Sequence, residues 1–85
     1  MRGLDRGQRM KILNQLSNKY GDLPYVDAVV LDEVIRVWSS LPVPLRSRKM
    51  YENLAKAIYG MDYGMVPNIR YINGVWDILE RSDLI

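Results

Sequence analysis

The side chains that ordinarily carry out catalysis are few in this chain. It has no His and no Cys, so the usual general base, the commonest metal ligand and any thiolate are missing. Carboxylates remain. Asp77 and Glu80 stand one helical turn apart and can share a cation, whereas Asp32 and Glu33 are neighbours that do not face each other on a helix. A hard-metal site needs more oxygens than either pair supplies, so these acids read as surface carboxylates. Gly60 and Gly64 lack the Lys-Ser/Thr that completes a phosphate loop. The sequence therefore predicts a protein with no catalytic residue, no metal, no cofactor and no small-molecule substrate.

Recognition of a polyanion is a chemistry the sequence does support. The net charge is only +2, but it is unevenly placed. Residues 1–20 carry five Lys/Arg against one acid, and residues 45–56 carry four against one. Between and after them, residues 21–44 carry one Arg against four acids, and residues 57–85 carry two against four. Two basic islands set between acidic stretches fit a nucleic-acid footprint. Ordinary solvated helix faces fit the same counts equally well.

The elements that hold these residues read as four helices. The first runs from Asp5 or Arg6 to about Lys19, with Leu4, Ile12, Leu13, Leu16 and Tyr20 as its apolar stripe and Gly21 as its stop. Asp22 and Pro24 open the second. Val26, Val30, Val34, Val37, Trp38 and Leu41 line one side of it, Leu31 and Ile35 lie beside them, and Asp27, Asp32, Glu33, Arg36 and Ser39 take the wetter side. Pro42 and Pro44 impose an extended segment, a linker or a short edge strand. Ser47 caps a third helix over Arg48 to Tyr59 that buries Met50, Leu54, Ala57 and Ile58. Gly60 reads as its stop, and Gly64 as a turn residue needing positive φ. Pro67 and Asn68 open the fourth helix, with Ile69, Ile72, Val75, Trp76 and Leu79 inward. Gly74 inside it costs about 1 kcal/mol relative to Ala, which points to close packing or to close approach of a ligand. Trp38 and Trp76 fall on apolar faces and read as core.

From about residue 30 to residue 85 the order is an apolar helix, a Pro-containing link and a capped helix bearing Leu54-Ala55. A turn and an amphipathic helix ending Leu79-Glu80-Arg81-Ser82-Asp83-Leu84-Ile85 complete it. In this it resembles the winged helix-turn-helix family. The resemblance implies an all-α fold of four helices. A winged-helix-like tri-helical core (residues 22–85) would carry an extra N-terminal helix (residues 1–21) in a single domain. At most a minimal two-stranded sheet would form, Pro44-Leu45 pairing with Leu84-Ile85. The turn from Gly60 to Val66 is longer than the family's usual three or four residues, and no wing hairpin follows. The resemblance further implies that residues 67–79 form a recognition helix in the major groove of double-stranded DNA. Asn68, Arg70, Tyr71 and Asn73 would then meet base edges, where Arg can grip guanine and Asn adenine. Arg46, Arg48 and Lys49, with Arg6, Arg9 and Lys11 of the other island, would meet phosphates.

A second role rests on the short repeat Tyr59-Gly60-Met61-Asp62, Tyr63-Gly64-Met65-Val66. Tyr59, Met61, Tyr63 and Met65 are held by glycines in a loop. They suit adaptable docking on a protein, and folding over the core accounts for them equally well. The alternative to DNA binding is thus an accessory subunit of a replication, repair or transcription complex, or contact with a second copy. At 85 residues a chain buries only roughly 60–65% of its unfolded surface, which leaves apolar faces for such contacts. The longest apolar run, Ala28 to Leu31, cannot span a membrane. With no apolar leader at its start, the chain is expected in the cytoplasm.

Overall fold

The computed structural model describes residues 3–82. Among them lie four α-helices, α1 (Arg6–Tyr20), α2 (Tyr25–Ser39), α3 (Arg48–Ala57) and α4 (Ile69–Arg81), and no strand. The fold is all-α, and the starts of α1, α3 and α4 are fixed by side-chain caps. Asp5 caps α1 through a reciprocal box: Oδ1 accepts from the Gln8 N–H at 2.8 Å, and Gln8 Oε1 accepts from the Asp5 N–H at 3.0 Å. Ser47 Oγ accepts from the Met50 N–H at 3.1 Å, and Asn68 Oδ1 accepts from the Tyr71 N–H at 3.3 Å. Such caps satisfy amides that have no partner inside the helix. Gly21 (φ 85°) follows α1, and its N–H bonds the Ser17 carbonyl at 2.7 Å.

The four helices share one core. Ile12, Leu13 and Leu16 of α1 are buried with Val30, Leu31, Val34 and Ile35 of α2, Tyr51 and Ala55 of α3, and the inner face of α4. At its centre three aromatic rings interlock. Trp38 meets Tyr51 and Trp76 edge-on at centroid distances of 6.1 and 5.5 Å, and Tyr51 lies 5.3 Å from Trp76. Two of them are anchored by hydrogen bonds: Trp38 Nε1 donates to the Ser47 carbonyl at 3.1 Å, and the Tyr51 hydroxyl to the Ile72 carbonyl at 2.6 Å. Burial pushes the Tyr51 hydroxyl's pKa far above its ordinary value, so it stays a donor.

Several residues sit differently from the sequence expectation. On α2, Asp27 and Ser39 are buried while Val26 is exposed. Asp27 accepts from the Tyr59 hydroxyl at 2.7 Å, and Ser39 Oγ accepts from the Leu4 N–H at 3.0 Å. These long-range partners rotate the helix's inner face by about one residue. On α3, Tyr51 and Ala55 are buried, Met50 and Leu54 half-buried, and Ala57 exposed, because the ring of Tyr51 fills the space between the two tryptophans. Gly60 does not stop α3. The helix widens into a π turn over Ile58–Asp62, and the chain reverses at Gly64 (φ 61°), where the Met65 N–H bonds the Tyr59 carbonyl at 2.8 Å. Val43–Leu45 forms a single 3-10 turn rather than an extended segment. The Leu45 N–H bonds the Pro42 carbonyl at 2.8 Å, so Pro44-Leu45 is not available as a strand; the expected partner, Leu84-Ile85, lies outside the described residues. Ile69, expected inward, is half exposed.

Candidate nucleic-acid interface

The fourth helix carries the expected base-reading residues, and its inner face limits which of them are free. Ile72, Gly74, Val75, Trp76, Ile78 and Leu79 are buried, which leaves Arg70, Asn73, Asp77 and Glu80 as one outward stripe at helical spacing. Gly74 sets how closely α4 approaches α1. A Cβ there would stand 2.6 Å from Leu16 Cδ1 and 3.0 Å from Tyr20 Cε2. Close packing therefore accounts for this glycine.

Through that contact the end of α1 reaches the start of α4. Tyr20 and Tyr71 stack at a tilt, with centroids 5.9 Å apart. Two cations then approach the same Tyr20 ring: Lys19 Nζ lies 5.3 Å and Arg70 Cζ 5.8 Å from its centroid. Both are exposed. The ring's quadrupole attracts each of them, while their mutual repulsion favours an anion between or beside them. The first turns of both α3 and α4 contain no acid. Arg48, Lys49 and Arg70 therefore stand against the positive helix ends, at a cost of about 0.3–1 kcal/mol each. A bound polyanion relieves that cost.

The expected base contacts narrow to two. Asn68 is half-buried and committed to its cap, and Tyr71 is half-buried against Tyr20. Arg70 and Asn73 are exposed one turn apart. Below them Asp77 and Glu80 reverse the charge of the stripe, so phosphates are repelled from the C-terminal half of α4.

The expected phosphate contacts also divide. Arg9 is built into the fold: Nε meets Asp32 Oδ1 and Nη1 the Leu4 carbonyl, both at 2.8 Å, with its side chain only 13% exposed. A phosphate could recruit it only by breaking both bonds. Arg46 is half-buried. Arg48 pairs with Glu52 at 3.5 Å, and its guanidinium lies 5.8 Å from the Trp76 ring, which places the start of α3 beside the middle of α4. Arg6, Lys11 and Lys49 are exposed.

The loop residues part in the same way. Tyr59 is fully buried, so it cannot dock a partner. Burial, and then its hydrogen bond to Asp27, raise its hydroxyl's pKa well above the ordinary phenol value. Met65 is half-buried against the core. Met61 is 85% exposed and Tyr63 40%, and Val66, which the sequence did not single out, is 87% exposed.

Lys19 and Tyr20 are the site residues that sequence reasoning missed. Tyr20 looked like the last member of a core stripe, and nothing local links it to residue 71. Gly74 was the available signal, since a glycine inside an amphipathic helix marks a close neighbour. No family model matches the chain, and neither does any curated protein or solved structure. Among the described residues no helix is long and apolar enough to cross a membrane.

Proposed function

We propose that this chain is a noncatalytic DNA-binding protein of helix-turn-helix type, a small regulator or a nucleoid or plasmid factor. It engages duplex DNA with the first two turns of α4 and the last turn of α1. The observation that carries this reading is the convergence of Lys19 and Arg70 on one tyrosine ring, next to the exposed amide of Asn73. Arg70 and Asn73 read base edges, while Lys19 and, on the adjoining start of α3, Arg48 and Lys49 hold phosphates. The acids at Asp77 and Glu80 confine the contact to the N-terminal turns of α4, the part of a recognition helix that reaches bases. The sequence's winged-helix resemblance supports the same assignment of α3 and α4. The absence of His and Cys supports a binding role over a catalytic one. A chain without cysteine needs no oxidising compartment, and we place it in the cytoplasm.

Duplex affinity measured at stepped salt concentrations tests this. The log–log slope is expected between about −2 and −4, each neutralised phosphate adding about −0.9, and Lys19→Ala should reduce its magnitude by about one unit. A slope near zero would remove the proposal.

Met61 and Val66 favour a second reading, an accessory subunit that docks on a protein of a replication, repair or transcription complex. Two large apolar side chains, each more than four-fifths exposed on one loop, suit an adaptable protein contact. In that case Met61→Ser and Val66→Ser would weaken partner binding and leave any DNA slope unchanged.

A further inference from the structure

The outward stripe of α4 begins with Arg70 and Asn73, both exposed. Three residues advance a helix by about 4.5 Å and carry it most of the way round, so the two side chains leave on one side. That advance is close to the roughly 3.4 Å between successive base pairs of a duplex. Side chains so spaced reach neighbouring pairs, or pairs with one between them where the helix tilts in the groove.

Both side chains are free to read a base edge, and one is already positioned for it. The Arg70 guanidinium rests 5.8 Å from the centroid of the Tyr20 ring, and Tyr20 is itself held against Tyr71 and Gly74. The contact lessens the freedom Arg70 gives up on binding and leaves its planar fork of donors for a pair of acceptors. Among the described residues no carboxylate pairs with Arg70, and the Asn73 amide has no hydrogen-bond partner. The rest of the helix offers no third polar reader. Asn68 is committed to its cap and Tyr71 to Tyr20, while Asp77 and Glu80 are repelled by the phosphates that flank every base.

We infer that one chain reads a step of two base pairs, guanine through Arg70 and adenine through Asn73, and so spreads along DNA instead of singling out one site. This rests on the DNA-binding proposal and narrows it toward the nucleoid type of factor. A bidentate contact discriminates roughly 5- to 150-fold against the wrong base. Two of them together reach about 30- to 20,000-fold. A genome offers roughly 10⁶–10⁹ competing sites, so that ratio selects no single address. A step so short recurs about once in every helical turn of random sequence.

The test is selection of duplexes from a randomised pool by the full chain at low salt. Retained duplexes should be enriched in a guanine and an adenine no more than one pair apart, with other positions left random. Asn73→Ala should erase the adenine preference and keep the guanine, and Arg70→Ala should do the reverse. Both residues are exposed, so each variant should keep its helical circular dichroism. A contiguous motif of about five pairs or more would overturn the inference, as would an adenine preference that survives Asn73→Ala. Retained duplexes without any base preference would overturn it too and leave DNA binding standing. A chain that retains no duplex at all would remove both.

Discussion

The hydrogen bond between Tyr59 and Asp27 decides whether the Tyr/Met loop is part of the core or a surface device. Its partners are 32 residues apart, and both are almost wholly buried: Tyr59 is 0% exposed and Asp27 is 7% exposed. Tyr59→Phe keeps the ring and removes only the donor. Hydrogen bonds to charged groups contribute about 1.5–3 kcal/mol, and the carboxylate left behind keeps its desolvation cost. The expected loss is therefore about 2–3 kcal/mol. Because a domain this small shifts by about 4–8 °C per kcal/mol, Tm should fall by about 10–20 °C. Urea unfolding followed by circular dichroism gives the free energy directly. The double variant Tyr59→Phe with Asp27→Leu removes both polar partners, and it should be more stable than Tyr59→Phe alone. A Tyr59→Phe protein within about 0.5 kcal/mol of the parent would refute the burial argument. It would return Tyr59 to the set of surface docking residues.

Three further outcomes are expected. The hydroxyls of Tyr51 and Tyr59 both have raised pKa values in the folded chain, so the native state keeps two protons that the unfolded chain releases. Their contribution is complete below about pH 10 and is lost as pH rises beyond it; urea midpoints on either side of pH 10 measure this, and Tyr59→Phe should lessen the loss. Gly74→Ala should destabilise by about 1–2 kcal/mol despite a helix-propensity gain of about 1 kcal/mol. The new Cβ meets Leu16 Cδ1 at 2.6 Å in a core position with no exposed route of escape; a more stable variant in thermal melts would contradict the packing. Arg70→Ala should weaken duplex binding and relax base preference, worth about 1–3 kcal/mol in competition between sequences. Loss of affinity with unchanged preference would make Arg70 a phosphate contact instead.

What could be read from the sequence was what neighbouring residues decide among themselves. The cap at Ser47, the helix starts near Asp5 and Asn68, and the positive φ at Gly21 and Gly64 depend on chemistry within a few positions. The inner faces of α2 and α3 depend on partners far along the chain. Asp27 looked solvated until Tyr59 supplied its donor, and Tyr51, which the sequence did not single out, is buried where Trp38 and Trp76 close around it. The π turn over Ile58–Asp62 was hidden because a glycine at residue 60 also suits a helix stop. The Pro42–Leu45 segment was misread because proline's fixed φ suits a 3-10 turn as well as an extended strand. At the candidate interface, Arg70 and Asn73 were legible from their outward positions on an amphipathic helix. Lys19 and Tyr20 were not, since only the approach of α1 to Gly74 brings them there.

The most direct test of the DNA-binding proposal is to follow backbone amide resonances of the labelled chain while a short DNA duplex is added at low salt. Shifts are expected to concentrate at Lys19–Gly21 and Asn68–Gly74, with smaller ones at Arg48 and Lys49, and to fade as salt is raised. Shifts gathered instead at Met61–Val66, or a spectrum the duplex leaves unchanged, would contradict it.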